Sequence, residues 1–187
     1  MPSVADGTIH QQRVAVAALY VSPRTPYLAL GCDCYDALRD ARLYEGPLPV
    51  VAHPPCGPWG RLRQFCTKDD PELAIIAVRQ VRQFRGVLEH PAHSRLWAAM
   101  QLPPPDSLFP DEFGGRTYAV DQGDYGHRAP KPTWLYAVGL GPCPFKLSSG
   151  SDPGGHIELM GRAERIRTPM PFAAALVTWA LSGVRHG

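Results

Sequence analysis

Three short apolar runs begin at residues 13, 49 and 85 (R-V-A-V-A-A-L-Y-V, P-V-V-A-H and R-G-V-L-E-H-P), and proline stops each of them. Runs this short, rich in β-branched residues and bounded by turn formers, read as strands buried on both faces, the kind that parallel sheets use. Proline explains where they end, because it fixes φ and removes the N–H a central strand needs. Between the runs lie segments of helical character. Y-D-A-L-R-D-A-R-L-Y (35–44) has helical composition, and from Pro71 to Phe84 the residues Leu73, Ile76, Ala77, Val81 and Phe84 recur at three- and four-residue steps, with Asp69 and Asp70 placed to cap the start.

The remainder extends the pattern. A short helix is expected around Ser94 to Met100. The segments 116–122 (R-T-Y-A-V-D-Q) and 132–139 (P-T-W-L-Y-A-V-G) read as two strands forming an antiparallel pair, and residues 140–156 read as loop. T-P-M-P-F-A-A-A-L-V-T-W-A-L (168–181) is a final helix with Thr168 as N-cap and Pro169 at its first position. The expected fold is therefore a doubly wound, mostly parallel α/β sheet with an antiparallel pair near the C-terminus, in one domain spanning 1–187, since neither a linker nor a repeat divides the chain.

Composition narrows the function classes. The formal charge of +2, from 19 basic and 17 acidic residues, is too small for a whole-molecule field that would itself draw in nucleic acid. The arginines on the central helix, Arg79, Arg82 and Arg85, read as a solvated face, and Trp97, Trp134 and Trp179 read as core. No apolar run reaches the length of a membrane span, and the first residues lack a secretion signal, so no membrane partner and a cytoplasmic location are expected. Five cysteines, an odd number, then point to reduced thiols rather than a disulfide framework.

Ligands of such sheets collect beyond the C-terminal ends of the strands. Cys56, in the stiff P-P-C turn after the second run, and Glu89, near the end of the third, both fall there. A thiol and a carboxyl meeting at one crevice suit pyrimidine chemistry. Thiolate addition at C6 makes C5 nucleophilic, while a carboxyl at N3 stabilises the charge that develops on the ring. Trp59 is placed to stack on a base, and Arg61 lies beside the same turn.

P-P-C (54–56), E-H-P (89–91) and Y-G-H-R-A-P-K-P-T-W-L (125–135), in that order, resemble three successive motifs of the DNA cytosine-5 methyltransferases, above all their small phage-encoded members; R-I-R-T-P-M-P-F-A-A-A-L (165–176) resembles the C-terminal segment of those members. The resemblance implies a Rossmann-like, methyltransferase-like fold, Cys56 as nucleophile, Glu89 as the carboxyl at the base, and His127, Arg128 and Lys131 as basic residues near it. It further implies a transferase acting on DNA or a pyrimidine nucleotide, S-adenosylmethionine as cofactor, and the cytoplasm of a bacterial host. His90 stands where the family has asparagine, as a loop organiser or an added proton-transfer group. Where the family's first strand ends in a glycine-rich F-x-G-x-G turn, this chain has L-Y-V-S-P-R-T-P, so weak or no binding of S-adenosylmethionine is expected. Residues 140–156 are too few for a target-recognition region, so sequence-specific methylation is not expected.

Two other readings stand beside this one. His53, Cys56, His90 and His93, with H-x-x-C and H-x-x-H spacing on adjacent loops, form a candidate zinc set. A catalytically dead, methyltransferase-derived module that binds nucleic acid is the other.

Overall fold

The computed structural model describes residues 15–61, 63–66, 68–148 and 160–183. It is an α/β fold built on one six-stranded mixed sheet. The strands are β1 (Ala17–Leu19), β2 (Asp33–Tyr35), β3 (Val50–Ala52), β4 (Gly86–Pro91), β5 (Arg116–Asp121) and β6 (Pro132–Val138), arranged β2-β1-β3-β4-β6-β5. The first four in that order run parallel, and β6 is antiparallel to both β4 and β5. The expected antiparallel pair is present, with Arg116 opposite Ala137 and Asp121 opposite Pro132. Of the first apolar run, residues 13 and 14 lie outside the described residues, as do 149–156 of the expected loop.

The helices are α1 (Pro26–Ala29), α2 (Glu72–Phe84), α3 (Leu96–Ala99), α4 (Arg162–Arg165) and α5 (Met170–Ser182). Strand alternation divides the core between the two faces of the sheet. Ala17, Leu19, Val50, Ala52 and Leu88 pack with Ala74, Ala77, Val78 and Val81 of α2 on one face; Ala18, Val51, Val87 and Leu135 pack with Phe172, Ala173, Leu176 and Trp179 of α5, and with Tyr27 of α1, on the other. Among the described residues, no helix is long and apolar enough to cross a membrane.

α2 joins β4 with no loop between them. Pro71, not Asp69 or Asp70, is the N-cap, with the Asp70 carboxylate just before it accepting from the Glu72 N–H at 2.9 Å, and the helix ends at Arg85 with φ 65°, followed by Gly86 with φ 129°. Two consecutive residues with positive φ turn the chain straight into the strand. A side chain at Gly86 would collide with the Val50 carbonyl of β3, so only glycine lets β3 and β4 approach here.

Four further expectations are corrected. The 35–44 segment is not an α-helix: Tyr35 closes β2, the Asp36 carboxylate accepts from the Leu38 and Arg39 N–H groups, and a 3-10 turn follows at Ala41–Leu43. The side chain of aspartate thus competes for the N–H groups that helix formation needs. The last helix begins one residue later than expected, with Pro169 in extended conformation as N-cap, so Thr168 does not cap it. Arg82 is not solvated, since its guanidinium donates to Tyr136 at 3.1 Å and pairs with Asp111 at 3.2 Å, with the Phe113 ring 4.1 Å beneath it. Arg85 lies beyond α2 and donates to the Gly139 carbonyl. Trp97 and Trp179 are buried and Trp134 is partly buried against the same core as Trp97. All five cysteines are unpaired.

Candidate functional site

The β3–β4 register pairs Ala52 with Leu88, and one step further along both strands stand His53 and Glu89. Parallel neighbours at one step share a face, so these two side chains meet on the α5 side. His53 Nδ1 lies 2.9 Å from Glu89 Oε2, and its Nε2 lies 2.7 Å from the hydroxyl of Tyr27. The second carboxylate oxygen of Glu89 accepts from Gln122 Nε2 at 2.8 Å; the same amide also donates to the Thr133 hydroxyl at 3.0 Å, which in turn donates to the Lys131 carbonyl. Tyr27, Gln122 and Thr133 have no solvent exposure. Five elements or their ends thus converge on one carboxylate.

This network settles the protonation pattern. Burial alone would raise the Glu89 pKa, but the hydrogen bond from His53, the charge of Lys131 and the nearby imidazoles bring it down to about 2. Glu89 is therefore ionised and can only accept, which places a proton on His53 Nδ1, while Nε2 faces the Tyr27 hydroxyl. Burial, then the Glu89 charge, holds the Tyr27 phenol well above its ordinary pKa, so it stays protonated.

Cys56 follows the two prolines and caps the 3-10 turn Gly57–Trp59. The space a Gly57 side chain would fill holds the Cys66 sulfur and the Asp69 carboxylate, so the 66–69 turn folds against the base of this loop. The Cys56 thiol is half-buried. Burial and then the charge of Glu89 raise its pKa, while the charge of Lys131 lowers it. In the resting protein the thiol is protonated.

The other expected site residues divide into those near this centre and those apart from it. Lys131 belongs to it through these charges, and its Nζ lies 3.4 Å from the Arg167 carbonyl. Trp59 is fixed by its indole N–H, which donates to the Pro71 carbonyl at 3.1 Å. Arg61 is exposed in the next turn. His90 is adjacent to Glu89 in sequence but points to the opposite face, where it meets the edge of Trp97; it does not share protons with Glu89. Its two ring nitrogens lack hydrogen-bond partners, the Pro55 carbonyl faces it, and burial lowers its pKa to about 4. His127 is buried with Nδ1 at 2.8 Å from the Ala129 carbonyl. Arg128 is exposed and pairs with Glu164 of α4 at 2.8 Å. His93 is exposed. Among the described residues no three His, Cys, Asp or Glu side chains are placed to hold a metal ion, and both nitrogens of His53 are occupied.

Tyr27, Gln122 and Thr133 were not legible as site residues. The only local signal was a histidine closing an apolar strand, which needs an acceptor and a donor once buried.

The turn after β1 does not resemble a glycine-rich cradle. Tyr20 has φ 60°, the Val21 N–H is spent on the Tyr35 carbonyl and the Thr25 N–H on the Ser22 carbonyl, and Pro23 and Pro26 have none to offer. The chain matches no family model, no curated protein and no solved structure.

Proposed function

We propose that this protein is a transferase-like enzyme that activates C5 of a pyrimidine, in DNA or in a nucleotide, through covalent addition of Cys56 to C6. The observation that supports it is a carboxylate held at both oxygens, Glu89, on β4 beside the end of β3, with the half-buried Cys56 in the turn that follows β3, the region where such sheets gather function. The finer reading of the fold as Rossmann-like and methyltransferase-like belongs to this proposal, with support from the sequence motifs around Cys56, Glu89 and Lys131.

The chemistry needs only the pyrimidine, water and this chain. Cys56 loses its proton to solvent and the sulfur bonds to C6; the C5–C6 π pair shifts to C5. Water protonates C5. Loss of the original C5 hydrogen as a proton restores the double bond and expels sulfur from C6, which regains a proton. Glu89, ionised and held at both oxygens, orients the ring by accepting from a ring N–H or an exocyclic amino group. Lys131 offsets negative charge as it builds on the ring.

An oligonucleotide tritiated at C5 of its pyrimidines should release tritium to water with the wild-type protein and not with Cys56→Ser. With 5-fluoropyrimidine oligonucleotides the proton added at C5 can leave again and expel sulfur, so tritium release is the deciding signal. If no tritium is released, or if Cys56→Ser releases it as fast as the wild type, the proposal falls.

A further inference from the structure

Between the turn after Cys56 and α3 lies a hollow of about 470 Å³ lined by Pro58, Trp59, Arg63, Arg95, Ala98 and Ala99. Its size is within the roughly 300–1,000 Å³ of small-ligand pockets. Two features set it apart from an ordinary surface dip. The Trp59 ring is held in place by its bond to Pro71, and the Arg95 N–H donates to the Trp59 carbonyl at 3.0 Å, so the turn after Cys56 and the start of α3 form one frame. The only charged residues in its wall are the two arginines, both exposed, and neither guanidinium forms an ion pair with a described residue.

A flat aromatic wall with two unspent cations and no carboxylate is complementary to a base joined to a phosphate. Stacking on tryptophan tolerates any base, because every base has a π face, and a guanidinium matches phosphate oxygens two at a time. Trp59 closes the 3-10 turn that Cys56 opens, and Cys56 does not line the hollow, so the hollow is next to the thiol's turn and does not contain the thiol. We propose that the Trp59–Arg63–Arg95 hollow is a subsite for the nucleotide next to the target pyrimidine in a single strand, stacking its base on Trp59 and holding its phosphate with the two arginines. This assignment of the neighbouring position rests on the reaction proposed for Cys56; the binding itself is measured separately.

The test is fluorescence anisotropy of a labelled single-stranded dT8 oligonucleotide across a salt series, with dTMP as competitor. Trp59→Ala should weaken binding by about 5- to 150-fold. Arg63→Gln and Arg95→Gln should each weaken it and lower the slope of log K against log salt by about 0.7. Arg116→Gln, at the far edge strand, removes the same charge and should change little; circular dichroism confirms that each variant is folded. Weak competition by dTMP identifies a strand as the ligand, whereas dTMP competing as well as dT8 on an equal-site basis would overturn the strand assignment. No binding by the wild type, or equal losses for Arg63→Gln, Arg95→Gln and Arg116→Gln, overturns the subsite. Site-dependent binding without tritium release would retain the hollow as a nucleotide site and reject the reaction and the neighbouring position together.

Discussion

At the residue scale, Glu89 and Lys131 act on the Cys56 thiol in opposite directions, and each can be removed separately. Glu89→Gln should lower the thiol pKa and speed its alkylation by iodoacetamide at pH 8 by about 3- to 10-fold, while Lys131→Gln should slow it. Mass spectrometry of the Cys56 peptide gives both rates, and equal rates in the two variants would show that neither charge reaches the sulfur. The same buried groups make the fold sensitive to acid. His90 has a pKa near 6.5 when unfolded and about 4 when folded, so between those values the unfolded chain binds more protons and stability falls as pH drops. Glu89 does likewise between about 4.5 and about 2, and stability it contributes is complete above that window. Each shift corresponds to roughly 3 kcal/mol. Urea unfolding from pH 7 to 4 should therefore show a loss that His90→Leu largely removes, whereas an unchanged acid limb in that variant would assign the loss to other groups.

At the element scale, the β3–β4 contact decides whether the site exists, because it is what sets His53 opposite Glu89. Gly86→Ala should cost about 3 kcal/mol or more in urea denaturation, since the substitution meets both a positive φ and the Val50 carbonyl. Leu176→Ala in α5 should cost about 2–5 kcal/mol in the same assay by leaving a cavity on the face of the sheet that carries the His53–Glu89 pair, where Leu176 packs in one cluster with Tyr27. β3, α2, β4 and the β5–β6 pair were readable because their apolar periodicity agrees with their burial. β2 was not, because D-C-Y is a three-residue edge strand with no buried position, and its pairing with β1, not its composition, makes it a strand. Thr168 fits every local rule for a cap, yet Pro169 takes the place; Arg82 reads as solvent-facing until Asp111, from a distant loop, supplies its partner. In the site, Cys56 and Glu89 could be picked out by their positions at strand ends, while Tyr27, Gln122 and Thr133 come from parts of the chain that only the folded sheet brings together.

At the scale of the whole molecule, the two cores share one sheet, so neither has a face to bury without the other. Tryptophan fluorescence, which samples Trp97 on one face and Trp179 on the other, and far-ultraviolet circular dichroism should give coincident urea transitions; separate midpoints would show that the layers unfold independently. The convergence on Glu89 has a further consequence. A cut in the 103–115 loop leaves Tyr27, His53, Cys56 and Glu89 on one piece and Gln122, Lys131 and Thr133 on the other. Neither piece contains both the sulfur and the ammonium that tunes it, so the acidity of a single thiol becomes a chemical reporter of whether two separately produced fragments have found each other.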